Sequence, residues 1–177
     1  MLYCKSVSIP YDPILDTSII TNVQRRHVKL NITQLNPKFI EYLKRLNVYV
    51  TFVEVFYTKP NSVTDIHIDA KPGDITKINY IYGGLDSQMI WYVPNDETSG
   101  EKKITCVNSS YVAFTNNEVT QVYADALTKP SIVQVGAPHN VVNYNEARHC
   151  LSIVIIENHK RIAMDRAIEI FGATGQI

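Results

Sequence analysis

The β character of the chain is set by the stretch Val48-Tyr49-Val50-Thr51-Phe52-Val53-Glu54-Val55-Phe56-Tyr57, which is followed by Lys59-Pro60-Asn61. Branched and aromatic residues favour a pleated strand, and proline and asparagine favour the turn that ends it. Shorter runs of the same kind follow, separated by turn residues such as Gly83-Gly84. Many short strands in succession predict a β-sandwich or barrel. The further runs lie near Val63–Asp69, Thr76–Tyr82, Gln88–Val93, Lys103–Val107, Tyr111–Phe114, Glu118–Tyr123, Ile132–Val135, Val141–Asn143 and Arg148–Ile156.

Two helices are predicted to flank these strands. Asn36-Pro37 supplies an N-cap and a proline at the first helical position, and apolar residues at helical spacing then predict a helix over residues 37–46. A similar apolar stripe predicts a closing helix at about residues 160–171, with Asn158 as its cap. Residues 1–24 are predicted to be irregular. The length of 177 residues fits a single domain.

The composition narrows the class of protein. Seventeen Lys+Arg balance seventeen Asp+Glu, so charge indicates neither a nucleic-acid surface nor attraction to a membrane. Arg25-Arg26-His27 is interpreted as a solvated basic face. Glu54 has no assigned role, and an ion pair with the helix is the simplest explanation for it. Three widely spaced cysteines, Cys4, Cys106 and Cys150, argue against a disulfide framework. With no signal-peptide pattern and no long apolar run, we expect a soluble cytoplasmic protein.

The first candidate site lies in Asp65-Ile66-His67-Ile68-Asp69-Ala70. Residues two apart on a strand project to the same face, so His67 and Asp69 can offer an imidazole and a carboxylate to one point. His139, 72 residues after His67, is the best candidate for a second imidazole. Two histidines and one carboxylate form the facial triad that leaves three positions on iron open. A His-x-Asp pair alone is weak evidence, so the hypothesis depends on all three side chains converging.

Arg148 begins a strand that continues as the apolar run Cys150–Ile156, which is predicted to be buried on both faces. A guanidinium is a fork matched to a carboxylate, so a buried arginine at this place requires an anion. The alternative is an arginine at the mouth of the strand that pairs with Glu146. Ser152 shares a face with Arg148. Asn79 interrupts another apolar run, and because a buried amide is costly without a partner, an inward role is predicted for it as well.

The order His67-x-Asp69, His139, Arg148 resembles that of the iron(II)- and 2-oxoglutarate-dependent dioxygenases, over a β core of about residues 48–156. The resemblance implies a mainly β fold, the double-stranded β-helix or cupin-like jelly roll, with flanking helices. It also implies that His67, Asp69 and His139 hold Fe(II) and act as the catalytic residues. Arg148 would then pair with the distal carboxylate of the cosubstrate, 2-oxoglutarate.

Three further residues are implicated in binding the cosubstrate. Ser152 lies where this family often places a hydroxyl near the distal carboxylate, and Tyr57 lies where related enzymes often carry a tyrosine that reaches the cosubstrate. Asn79 is predicted to face the metal or the cosubstrate. Ile78-Asn79-Tyr80 and Ala137–Asn143 are similar to compact prolyl-hydroxylase-like members, including some from bacteria and phages. A phage-encoded member would lie in the cytoplasm of its host.

The resemblance implies an oxygenase that consumes dioxygen and 2-oxoglutarate, releases succinate and carbon dioxide, and hydroxylates a C–H bond of its substrate. Asp69 favours hydroxylation, because halogenating relatives carry a small residue in place of the carboxylate. The substrate stays open among a peptide, a free amino acid, another small molecule and a nucleobase. The oligomeric state is also open.

Two other classes of protein stay open. A cupin-like metal enzyme uses the same barrel without 2-oxoglutarate and has no need of Arg148 in its interior. A non-catalytic binding module would leave His67, Asp69 and His139 in structural roles, with no reason to meet. The geometry of these side chains separates the three classes: the oxygenase requires them to converge with Arg148 facing them.

Overall fold

The computed structural model describes residues 2–69, 73–96, 100–104, 108 and 110–172, and it consists mainly of β-strands. The strand predicted over Lys103–Val107 is found at Glu101–Ile104. Residues 105–107, Cys106 among them, lie outside the described part, as does the tail 173–177. The elements are β1 (Cys4–Ser6), α1 (Ser18–Thr21), β2 (His27–Leu30), α2 (Pro37–Arg45), β3 (Tyr49–Thr58), β4 (Ser62–Val63), β5 (Ile66–Asp69), β6 (Thr76–Tyr82), β7 (Gln88–Pro94), β8 (Glu101–Ile104), β9 (Ser110–Phe114), β10 (Val119–Asp125), β11 (Ser131–Gln134), β12 (His139–Asn143), β13 (Arg148–Glu157), β14 (Lys160–Arg161) and α3 (Met164–Gly172).

The strands form two antiparallel sheets. The first has the order β1-β11-β6-β13-β3-β2, with β14 beside β13, and the second has the order β10-β7-β12-β5-β9-β8, with β4 beside β12. From β3 onward the chain passes repeatedly from one sheet to the other, so that β3, β6, β11 and β13 face β5, β7, β10 and β12. This is the eight-stranded jelly roll, or double-stranded β-helix, that the sequence predicts.

The largest hydrophobic core lies between the first sheet and the helices. Leu151 and Ile153 of β13 are fully buried there with Phe39 of α2 and Ala167 of α3. Burying a large apolar side chain of this kind contributes about 1.5–3 kcal/mol. The alternate residues of β13, such as Ser152, point toward the second sheet because side chains on a strand alternate between its faces. The space between the sheets therefore receives polar side chains.

The helix α2 begins as its sequence predicts. The side chain of Asn36 accepts a hydrogen bond from the backbone N–H of Lys38 at 3.0 Å, and Pro37 occupies the first turn. The helix ends at Arg45, and Asn47 takes a positive φ of 57°, the left-handed conformation that asparagine adopts more readily than most residues. These two signals orient the chain so that β3 starts directly after the helix.

The N-terminal segment departs from the prediction of an irregular chain over residues 1–24. Cys4–Ser6 pairs antiparallel with β11 at the edge of the first sheet, and Ser18–Thr21 forms one helical turn. A strand of three residues is too short to show a hydrophobic period, and it is held by its pairing with a distant strand. That pairing was not readable from the local sequence.

The C-terminal helix begins later than the predicted residues 160–171. The helix α3 spans Met164–Gly172, whereas Lys160–Arg161 form a short strand against the end of β13. Asn158 and His159 connect the two strands with positive φ values of 49° and 61°. Two successive positive φ angles are the geometry of a tight hairpin turn. Asn158 is therefore a turn residue and not the cap of the helix.

No described helix has the length and apolar character needed to cross a lipid bilayer.

Candidate metal centre

Strands β5 and β12 bring together the three side chains that the sequence proposes as ligands. His67 and Asp69 lie two apart on β5, and His139, the first residue of β12, pairs with His67 in the register of the second sheet. The potential ligand atoms of the three residues all lie within 4.8 Å of one another. Nε2 of His67 is 3.4 Å from Oδ1 of Asp69, and the two imidazole centroids are 4.6 Å apart. This is the predicted convergence.

The backbone orients both imidazoles for ligation. Nδ1 of His67 lies 2.8 Å from the carbonyl oxygen of Asp65, and Nδ1 of His139 lies 2.9 Å from that of Ala137. A carbonyl only accepts, so each Nδ1 carries the hydrogen, and in the neutral form of each ring Nε2 is the nitrogen with the lone pair. Such backbone contacts fix the tautomer and ring orientation of metal-binding histidines.

The pKa values of Asp69 and His139 suit the binding of a cation at neutral pH, whereas that of His67 is shifted the other way. Burial, assisted by the nearby His67, lowers the pKa of His139 to about 4, so this imidazole is neutral. Burial alone would raise the pKa of Asp69, but the Lys77 ammonium and the hydrogen bond with His67 hold it well below its usual range. Asp69 in turn raises the pKa of His67 against the effect of burial. An ionised carboxylate and a neutral imidazole are the forms that bind a metal.

Arg148 lies in the same interior as these three residues. It is the first residue of β13, is only 3% exposed, and lines a cavity of about 70 Å³ together with His67, Asp69 and His139. Its Nε atom has no hydrogen-bond partner within the described ranges. Nor does any carboxylate described in the structure form an ion pair with it. Burial lowers the pKa of the guanidinium, and its contact with the Cys150 side chain opposes that shift.

Two of the other three predicted cosubstrate residues line this cavity. Ser152 and Asn79 are opposite each other in the pairing of β13 with β6, and both are buried. Oδ1 of Asn79 has no hydrogen-bond partner in the part of the chain described. A buried amide end without a partner is costly, so this position favours a polar ligand.

Tyr57 lines a different cavity, of about 660 Å³, which His67 and Asp69 also line. It does not line the Arg148 cavity, because its neighbours Phe56 and Thr58 occupy the inward positions of β3 and alternate residues face opposite ways. The Tyr57 ring instead contacts His149, with ring centroids 5.1 Å apart. His149 bonds through Nε2 to the carbonyl of Val23 at 2.9 Å. The placement of Tyr57 thus gives no support to the prediction that it reaches the cosubstrate.

Sequence reasoning missed three charged or polar residues between the sheets. Lys77 of β6 contacts Asp69, with Nζ 2.6 Å from Oδ2, and also contacts Glu54 of β3 at 2.9 Å. Glu54 further accepts from Nε2 of His27 at 2.7 Å. Both interpretations from the sequence were wrong here: Glu54 pairs inside the barrel and not with a helix, and His27 is buried. The available signal was a single charge within each of the apolar runs around Glu54 and Lys77.

A second, larger cavity adjoins the first. Its volume is about 660 Å³, and its walls include Phe52, Tyr111 and the rim residue Arg161. His67 and Asp69 line both cavities and therefore stand at the boundary between them, whereas His139 lines the smaller one. Volumes of 300–1,000 Å³ are typical of sites for small ligands.

Fold and donor set together define a double-stranded β-helix with a candidate two-histidine, one-carboxylate metal centre. No protein-family model matches the sequence, and neither does any curated protein. Solved structures with a similar fold include dTDP-4-dehydrorhamnose 3,5-epimerase from Elizabethkingia anophelis (13% identity, 90% of this chain and 77% of that chain, TM-score 0.34). They also include an oxalate oxidase in complex with glycolate (14%, 89% and 78%, TM-score 0.34) and a 2OG-Fe(II) oxygenase family oxidoreductase from Burkholderia pseudomallei (11%, 73% and 56%, TM-score 0.32).

The chain spans only 28% and 32% of two oxalate decarboxylase chains that it matches, and 58% of an oxalate oxidase chain. At these identities and TM-scores the likenesses carry no argument about chemistry. The fold follows from the strand order of this protein, and any function has to follow from its own site.

Proposed function

We propose that the protein is an Fe(II)- and 2-oxoglutarate-dependent oxygenase that hydroxylates a C–H bond of a small substrate. One observation carries the proposal: His67, Asp69 and His139 converge beside a cavity that Arg148 also lines, and the Nε of this buried arginine has no hydrogen-bond partner among the described residues. The converging residues account for a metal, and Arg148 accounts for an anion that binds next to it.

The donor set fits iron(II). His67 and His139 present Nε2 atoms whose lone pairs are free, and Asp69 presents Oδ1 beside His67. Two imidazoles and one carboxylate suit a non-haem iron(II) that keeps open positions for cosubstrate and dioxygen. His67, Asp69 and His139 would hold the metal.

The smaller cavity, which contains Arg148, offers partners to a carboxylate group of a molecule such as 2-oxoglutarate. A guanidinium binds a carboxylate through charge-assisted hydrogen bonds, and the Nε of Arg148 is available for one. Ser152 and Asn79 line the same cavity with a hydroxyl and an amide. Arg148 would anchor the distal carboxylate, Ser152 would donate to it, and Asn79 would bind the same ligand nearer the metal.

The larger cavity fits the substrate. Its walls include His67 and Asp69 but not Arg148, so a molecule bound there would lie next to the metal and leave Arg148 to the cosubstrate. Its aromatic wall would exclude water and hold an apolar part of the substrate. Peptides, amino acids and other small molecules all remain within this size class, and a nucleobase does as well.

When bound, iron(II) supplies the activation of dioxygen that couples substrate oxidation to cosubstrate decarboxylation. The balance is that R–H, 2-oxoglutarate and dioxygen give R–OH, succinate and carbon dioxide. The protein contributes binding and orientation. Asp65 and Ala137 keep the two imidazoles in their ligating tautomers, and Arg148 fixes the direction in which the cosubstrate approaches.

Two other classes make different demands on these residues. A cupin-like enzyme that works without 2-oxoglutarate would need the triad but not Arg148. A binding module without a metal would need neither. Dependence on both His139 and Arg148 therefore distinguishes the oxygenase from each of them.

The test is succinate formation by purified protein with Fe(II), 2-oxoglutarate and air. We expect succinate from the wild type and none from the His139→Asn variant. The matched control is His159→Asn, which makes the same change at an exposed turn residue and should leave succinate formation unchanged. Succinate that forms equally in both variants would contradict the proposal.

A further inference from the structure

A chain of polar and charged side chains connects the edge of the first sheet to the candidate metal centre. His27 of β2 donates to Oε1 of Glu54 at 2.7 Å, Lys77 donates to Oε2 of Glu54 at 2.9 Å, and Lys77 also contacts Oδ2 of Asp69 at 2.6 Å. His27, Glu54 and Lys77 are each at most 9% exposed. The four residues come from β2, β3, β6 and β5, so only the assembled fold brings them together.

Register explains why these residues meet. Ser152 on β13 pairs with Glu54 on one side and Asn79 on the other, and Val154 pairs with Lys77, which places Glu54 and Lys77 on the inner face of the first sheet. The His27 ring is fixed by stacking on Phe56, with ring centroids 4.5 Å apart. Hydrogen bonds and ion pairs therefore connect His27, Glu54, Lys77 and Asp69 in that order.

Burying the charges of Glu54, Lys77 and Asp69 costs free energy unless they pair with one another. One of the three, Asp69, is a candidate metal ligand. Lysine has three donors, of which two are used by Glu54 and Asp69. Lys77 therefore joins the Glu54 and Asp69 carboxylates, and the Arg148 guanidinium adds a second positive charge to the interior that Asp69 lines.

We propose that Lys77 is a positioning residue for the metal centre: it holds Oδ2 of Asp69, so that the carboxylate binds the metal through Oδ1 alone. The inference rests on the metal site of the proposed function. It adds an explanation of how a coordination position on the metal stays open. Oδ1 already faces the metal side, 3.4 Å from Nε2 of His67. Single-oxygen ligation leaves one more position for cosubstrate and dioxygen than a chelating carboxylate would. Glu54 and His27 act one step further out, by holding Lys77.

The first test measures Mn²⁺ affinity by calorimetry or by electron paramagnetic resonance, with no cosubstrate present. The variant is Glu54→Gln combined with Lys77→Met, which removes one negative and one positive charge together and keeps the net charge of the site. Losing a residue that orients a ligand typically costs 10–100-fold in metal affinity, and we expect a loss of about that size. The control is Glu101→Gln with Lys103→Met, the same substitutions in an exposed ion pair on β8, which should leave the affinity unchanged.

The outcomes separate the inference from the function on which it rests. No Mn²⁺ binding by the wild type would overturn the metal site and the proposed function with it. Tight binding that survives the double substitution would overturn only the role of Lys77.

A second measurement does not depend on the variant folding. In a crystal structure of the wild type with Mn²⁺, we expect Oδ1 of Asp69 on the metal and Oδ2 still within hydrogen-bond distance of Lys77. A carboxylate that chelates the metal with both oxygens, or a Lys77 displaced from it, would overturn the inference.

Discussion

Replacing Arg148 by methionine should stabilise the protein in the absence of ligand and weaken its binding of 2-oxoglutarate. Both effects have one cause. The guanidinium is 3% exposed, its Nε has no hydrogen-bond partner within the described residues, and no described carboxylate pairs with it. Methionine has a similar length and no charge, so the substitution removes the cost of burial while keeping most of the packing.

The size of each effect follows from these contacts. An unsatisfied buried polar group costs roughly 1–3 kcal/mol, and a buried charge costs more, so we expect the variant to gain about 2 kcal/mol in free energy of unfolding. For a chain of this length that gain corresponds to about 4–8 °C in Tm. Charge-assisted hydrogen bonds to the cosubstrate contribute about 3 kcal/mol, so its affinity should fall by on the order of 100-fold.

The assay is thermal unfolding of wild type and variant, each with and without Mn²⁺ plus 2-oxoglutarate, alongside calorimetric titration of the cosubstrate. Arg45→Met, at an exposed position of α2, is the matched control and should change the stability by less than about 0.5 kcal/mol. A variant that melts several degrees below the wild type would show that Arg148 has a structural partner. Unchanged cosubstrate binding would remove Arg148 from the site.

Three further predictions concern the fold around the site. The pKa of His139 falls from its ordinary value of 6.5 to about 4 in the folded protein. Between pH 4 and 6.5 the folded state therefore binds fewer protons than the unfolded state. The stability of the metal-free protein should decrease as pH falls through this window. Urea unfolding at pH 7 and pH 5 measures this, and the decrease should be smaller in His139→Asn; an equal decrease would contradict it. Gly84→Ala should destabilise by roughly 2–4 kcal/mol, since Gly84 has φ +54° and an added Cβ would lie 2.7 Å from Cβ of Arg148; an unchanged Tm would refute this. Asn36→Ala should cost about 1 kcal/mol through loss of the cap of α2, with a Tm equal to that of the wild type as the contrary result.

The parts of the site that sequence could predict are those that depend on short-range periodicity. A period of two is enough to place His67 beside Asp69 on β5, and an apolar strand is enough to make Arg148 anomalous. The family resemblance supplied His139, whose approach to His67 depends on the register between β12 and β5. Long-range register of this kind leaves no local pattern.

Dependence on long-range register also explains why the sequence did not reveal the roles of Lys77 and Glu54. Lys77 and Glu54 each appear in the sequence as one charge in an apolar strand, which is equally compatible with a solvated face. Only the assembly of the first sheet brings them within 2.9 Å of each other. The cosubstrate role of Tyr57 stays a prediction, because Tyr57 lines the larger cavity and not the one that contains Arg148. Asn158 was assigned to a helix start because a cap and a tight turn favour the same residue types.

The most direct test of the proposed function is an anaerobic titration of Fe(II) and then 2-oxoglutarate into the purified protein, followed by visible absorption. We expect the weak charge-transfer band of an iron-bound 2-oxo acid in the wild type and its loss in His139→Asn. In Arg148→Met the band should appear only at a much higher concentration of 2-oxoglutarate. Iron binding without any band at saturating 2-oxoglutarate would contradict the cosubstrate and favour a cupin-like metal enzyme. No binding of iron at all would contradict the metal centre itself.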